Sequence, residues 1–138
     1  YGPRQDPSSP YSGVISIFMQ RLKDAQQLVI FGDGAQTRDF IYVQDVVSYL
    51  ASAMSRLHKQ SACAEVYNIC TGRQTSITQL AEMLIDITSV SQTIAYKNAR
   101  EGDIRYSYGN PAKAEQTLLF KAETTLQQGL LETWKSFA

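Results

Sequence analysis

Five stretches of this chain repeat apolar residues at helical spacing, and short β-rich runs fall between them. That alternation constrains the architecture most, because exchanging a 3.6-residue period for a two-residue one turns buried side chains outward. The first helical stretch is "SSPYSGVISIFMQRLKDA". Ser9 suits its cap and Pro10 its first turn, Val14, Ile15, Ile17, Phe18 and Leu22 form its apolar stripe, and Gly13 weakens its start. "QLVIF" and "TRDFIYV" read as strands joined by the turn "GDGAQ", which predicts a β-hairpin. "QDVVSYLASAMSRL" repeats Val46, Val47, Leu50, Ala51, Met54 and Leu57 at helical spacing, with Arg56, His58 and Lys59 toward the negative end of its dipole. "EVYNIC" reads as a strand apolar enough to be covered on both faces. In "SITQLAEMLIDIT", Ser76 and Gln79 have capping-box spacing, and "TIAYK" follows as another strand. "AREGDIRYSYG" reads as irregular extended chain. Asn110 and Pro111 open a short helix, and a last one runs from Thr125 to about Phe137, burying Leu126, Leu130, Trp134 and Phe137. The fold class that follows is mixed α/β.

With 138 residues the chain is one domain at most, long enough to bury roughly 68–70% of its unfolded surface. Thirteen Lys and Arg balance thirteen Asp and Glu, so no basic field points to nucleic acid or to an anionic membrane. No apolar run reaches the ~18 residues of a membrane span, and no signal-peptide pattern opens the chain. Cys63 and Cys70 read as reduced thiols of a cytoplasmic protein, and one histidine leaves no metal set. The opening at Tyr1 without a methionine suggests a piece of something longer.

Two loops carry arginines that helix or strand formation does not demand: Arg38 in one, Arg100 and Arg105 around Asp103 in the other. A guanidinium is permanently charged, and its planar paired donors match phosphate oxygens, so such arginines suit a diphosphate. Local pairing of Arg38 with Asp39, and of Arg100 with Glu101 or Asp103, accounts for the same spacing, and surface pairs of that kind are worth ~0–1 kcal/mol. "FGDG" lacks the glycine triplet and following helix of a phosphate loop and reads as a turn. "CTG" before the helix at Ser76 reads as part of a cap, and Tyr42, Tyr67, Tyr96, Tyr106 and Tyr108 as packing residues. No serine, cysteine or histidine stands in a nucleophile setting, so no catalytic residue is assigned.

Taken in order, "YGPRQDP", "GDGAQTRDFIYVQDVV", "VYNICTG", "TSITQLAEML" and "REGDIRYSYGNPAKA" resemble the C-terminal part of the extended short-chain dehydrogenase/reductases. The likeness is to NAD-dependent nucleotide-sugar epimerases and dehydratases, especially UDP-hexose and UDP-N-acetylhexosamine 4-epimerases, and it runs from Tyr1 to Trp134. It implies that residues 1–138 are the nucleotide-sugar-binding part of that fold, with most of the Rossmann half absent. The glycine-rich NAD loop and the catalytic Tyr-x-x-x-Lys pair would lie in that half, so NAD belongs to the parent enzyme and no cofactor is expected for this chain alone.

On the substrate side, the resemblance implies that the backbone from Val29 to Phe31 contacts the uracil, Arg38 and Arg100 hold the diphosphate, and Asp103 holds the ribose. Ser107 matches a position where a small side chain leaves room for an N-acetyl group, which points to a UDP-N-acetylhexosamine. Two residues depart from the pattern: Cys70 stands where glycine is common and Gly109 where alanine or serine is usual.

The parent reaction would move a hydride from the sugar C4 to NAD and back, the cofactor supplying the redox chemistry. This chain would anchor the nucleotide and be inactive alone. The alternatives are a self-associating module from a truncated epimerase gene, which binds no sugar nucleotide, and a fragment of a dTDP- or GDP-sugar dehydratase. In the family the helix matching Gln44–Leu57 and the strand matching "EVYNIC" pack on the Rossmann half, so their exposure here would favour a homo-oligomer. Covering ~600 Å² of apolar area would be worth about 15 kcal/mol before association costs.

Overall fold

The computed structural model describes residues 1–9, 13–58 and 64–137. Their elements are α1 (Val14–Lys23), β1 (Leu28–Phe31), β2 (Thr37–Arg38), α2 (Val43–Leu57), β3 (Thr75–Ser76), α3 (Ile77–Thr88), β4 (Ile94–Lys97), β5 (Tyr106–Ser107), α4 (Ala112–Leu118) and α5 (Leu126–Lys135). The helices begin where local chemistry allows. Ser76 and Thr125 each accept through the side-chain hydroxyl from the backbone N–H three residues on and donate their own backbone N–H to the side-chain oxygens of Gln79 and Gln128, so two capping boxes fix α3 and α5. At α1 the cap is Gly13, not Ser9, which lies outside the helix. Pro10, Lys59 and Cys63 fall outside the described residues.

The predicted hairpin is absent. β1 pairs in parallel with β4, with Leu28 opposite Ile94 and Phe31 opposite Lys97. β2 belongs to a second small sheet of order β3-β2-β5, antiparallel to β3 and parallel to β5. "GDGAQ" therefore carries the chain from one sheet to the other, and "TRDFIYV" contributes only Thr37 and Arg38 as strand before α2 begins at Val43. Gly34 shows why the turn is tight. Its φ is +76°, and a Cβ there would stand 2.1 Å from Thr78 Oγ1.

The main core joins α1, β1, α3 and α5 through Phe18, Met19, Leu22, Leu28, Ile30, Leu80, Leu84 and Leu130, all buried. Met19 takes the place predicted for Ile17, which faces outward. A second cluster sets Tyr49 of α2 against Ala114 and Leu118 of α4, with Phe120 edge-on to Tyr49 at 4.7 Å.

Two expectations fail outside these cores. "EVYNIC" forms no strand, and Val66 is 84% exposed. A strand meant to be covered on both faces has no ladder partner among the described residues, and its backbone stays irregular. Tyr96, Tyr106 and Tyr108 are exposed, not packed.

Candidate functional site

Both small sheets end beside one open groove of about 510 Å³, within the range of small-molecule sites. Val29, Phe31, Arg38, Arg100 and Asp103 all line it. Ser107 does not. It lies on β5, opposite Arg38 in register, and is exposed.

The loop from Arg100 to Asp103 is a tight turn. Asp103 N–H donates to the Arg100 carbonyl at 3.3 Å, and Gly102 supplies a φ of +78° at the third position. Such a turn brings its first and last side chains together, which accounts for Arg100 and Asp103 meeting the same groove. Two ion pairs fasten the loop. Asp103 Oδ1 accepts from Arg38 Nη2 at 2.6 Å, and Arg105 donates to both oxygens of Asp33 at 2.6 and 2.9 Å. The second pair ties the loop to the glycine turn after β1, and holds the Asp33 carboxyl down to about 2.

The two groove arginines are held differently. Arg38 Nη1 also donates to the carbonyls of Thr37 and Ile104, at 2.8 and 2.6 Å, so carbonyls and a carboxylate set its orientation. Arg100 makes no ion pair among the described residues. Its guanidinium lies over the Phe31 ring, 3.8 Å from the centroid, a cation–π contact that leaves the N–H edge free. The expected local pairs are thus not what forms. Asp39 turns away from Arg38 and accepts from Thr71 N, Thr71 Oγ1 and Gly72 N at 3.0, 2.5 and 2.8 Å. It fastens the "TG" turn, which has no part in a helix start.

The groove is not a positive sink: its lining sets Arg38 and Arg100 against Asp39, Glu101 and Asp103. An anion there must be held by directed N–H groups. Further donors and acceptors come from the backbone. Leu28 N–H bonds to the carbonyl of Thr93, just before β4, and Gly32 N–H to that of Lys97 in β4, so in a parallel ladder the N–H and C=O of Val29 and Phe31 point to the other edge. An N–H beside a C=O suits the imide edge of a pyrimidine base.

Sequence reasoning missed Gln36 and Asp33 here, and gave Asp39 and Arg105 other roles. Gln36 is buried, lines the groove and donates through Nε2 to the Phe31 carbonyl at 2.7 Å. Asp39, Asp33 and Arg105 are the fasteners. For Asp39 a signal existed: a "TG" turn with free N–H groups needs an acceptor.

A dinucleotide-binding turn, rich in glycine and leading from a strand directly into a helix, is not found among the described residues: the turn from Gly32 to Gly34 leads from β1 into β2.

Comparison with known proteins settles the relationship. Residues 1–133 match the family described as GDP-mannose 4,6 dehydratase. The chain belongs to the NAD-dependent nucleotide-sugar epimerase/dehydratase family of short-chain dehydrogenase/reductases. A curated relative, the putative UDP-glucose 4-epimerase of Methanocaldococcus jannaschii, is 39% identical over 94% of this chain and 40% of its own length. The UDP-glucose 4-epimerase of Thermotoga maritima, solved with UDP-glucose, is 39% identical with a TM-score of 0.90, and the match covers 99% of this chain and 42% of that one. The UDP-glucuronic acid 4-epimerase of Bacillus cereus, solved with UDP-glucuronic acid and NAD, is 29% identical with a TM-score of 0.85, covering 99% and 41%. This epimerase/dehydratase family member therefore spans about two-fifths of the length of the relatives it matches. Its mixed α/β architecture fits a C-terminal portion of the short-chain dehydrogenase/reductase fold. Among the described residues no helix is long and apolar enough to cross a membrane.

Proposed function

We propose that the chain is a nucleotide-sugar-binding domain whose groove takes the nucleotide-diphosphate part of a UDP-sugar, as the substrate-binding portion of a 4-epimerase. The observation that carries this reading is the meeting of Val29, Phe31, Arg38, Arg100 and Asp103 on one groove. The free edge of β1 meets the uracil through the Val29 carbonyl and the Phe31 N–H. Arg100 gives its N–H edge to the diphosphate, Arg38 gives the donors that Asp103 and the carbonyls leave over, and Asp103 keeps an oxygen for a ribose hydroxyl. Ser107 stands outside the groove on β5, where a small side chain next to the hexose leaves space for an N-acetyl group. NAD and the catalytic pair of the parent reaction are not carried by these residues, so epimerisation by this chain alone is not expected.

Calorimetric titration with UDP and UDP-N-acetylglucosamine tests the reading. Binding of both is expected. Arg100→Ala should weaken it by about tenfold to a hundredfold, the range for a hydrogen bond to a charged group. Because the lining is not net positive, inorganic diphosphate should bind much more weakly than UDP. Absence of binding to the unaltered chain overturns the proposal.

A second reading, self-association, is favoured by α2. Val43, Val47, Leu50, Met54 and Leu57 recur at alternating spacings of four and three and are all exposed, up to 62% at Met54. Such a seam is the pattern by which one helix packs on another. A second copy of the chain can cover it without closing the groove, because none of these residues lines it.

A further inference from the structure

Four polar side chains are buried among the described residues: Ser16, Gln36, Asp45 and Thr133. Three have plain structural work. The hydroxyls of Ser16 and Thr133 donate to the carbonyls of Gly13 and Gly129, and Asp45 accepts from Thr124 N–H. Gln36 is the one that lines the groove.

A buried carboxamide needs partners, and those of Gln36 lie at the site. Its side-chain Nε2 donates to the Phe31 carbonyl at 2.7 Å. Its main-chain carbonyl accepts from Ile77 N–H, at the start of α3, at 3.1 Å. Gln36 thus closes the turn from residue 32 to 35, which contains two glycines of positive φ and could otherwise slide. It fixes the end of β1 against α3. Phe31 is the residue so held, and its ring carries the Arg100 guanidinium at 3.8 Å.

We propose that Gln36 is a positioning residue of the groove: its carboxamide holds Phe31 so that the ring of Phe31 seats Arg100 with its N–H edge toward the ligand. The nucleotide role of the groove rests on the function proposed above. The chemistry accounts for an amide at this position. A hydrocarbon would leave the Phe31 carbonyl without its donor, and a carboxylate would face that carbonyl while adding a fourth negative charge beside Arg100.

The test joins a ligand-free readout to a ligand-dependent one. In NMR spectra of the unaltered chain, the Arg100 δ protons should be shifted upfield by the Phe31 ring current. Phe31→Leu should abolish the shift. Gln36→Leu should diminish it and weaken UDP binding at least tenfold, and Gln36→Glu, of the same shape, should do likewise. If Gln36→Leu does not fold, Gln36→Glu carries the test. Retention of both the shift and the UDP affinity in a folded Gln36 variant overturns the proposal. If the unaltered chain shows the shift yet binds no UDP, the nucleotide reading falls, and the response of the shift to the Gln36 variants still decides whether Gln36 positions Arg100.

Discussion

Asp33 shows how a charged residue in an exposed turn acquires a definite role. Its carboxyl is lowered to about 2, first by the hydrogen bond from Arg105 and then by the Ala35 N–H. The folded value lies below the ordinary 3.8, so the contact stabilises the fold above about pH 4 and its contribution disappears as pH falls through about 2. Carbon-detected NMR titration should give Asp33 a midpoint near 2, and Arg105→Gln should return it toward the ordinary range. An unshifted midpoint in the unaltered chain would mean that the loop is not fastened there. Gly34 offers a steric counterpart. Its φ of +76° and the nearness of Thr78 Oγ1 leave no place for a methyl group. Gly34→Ala should cost at least about 2 kcal/mol in urea unfolding; a cost under about 0.5 kcal/mol would show that the turn relaxes.

At the scale of elements, local signals were legible and distant pairings were not. The capping box at Ser76 and Gln79 was readable because both partners lie within one turn of helix, and it forms as spaced. Ser76→Ala should therefore destabilise the chain by about 1 kcal/mol, with the denaturant slope unchanged; no change in the midpoint would mean that the cap contributes nothing. The β1–β2 hairpin failed for the opposite reason. A glycine turn between two β-rich runs is a strong local sign, but β1 finds its partner in β4, more than sixty residues on, and parallel pairing leaves no mark in adjacent residues. The strands of the second sheet are two residues long, too short to show a period. The site divides along the same line. Arg38, Arg100 and Asp103 could be singled out because arginines in loops are conspicuous and the family likeness gave them roles. Gln36 could not, since a glutamine in a polar turn looks solvated until the fold buries it. Asp39 was visible and was given the wrong partner, its neighbour in sequence instead of Thr71 and Gly72.

For the whole molecule, the exposed seam of α2 and the outward Val66 set the expected behaviour in solution. If a second copy covered ~600 Å² of apolar area there, the burial would be worth about 15 kcal/mol, to set against the ~4–15 kcal/mol that association costs. Sedimentation at micromolar concentration should report a species larger than a monomer, and Leu50→Glu with Met54→Lys should dissociate it while leaving the groove able to bind. A monodisperse monomer before substitution would contradict this. Whether the groove takes a nucleotide is decided by backbone amide shifts recorded while UDP is added. Saturable changes are expected at residues 29–32, 36–38 and 100–105, with their loss in Arg100→Ala. Changes scattered over the surface, or none at millimolar UDP, would contradict a nucleotide role for the groove.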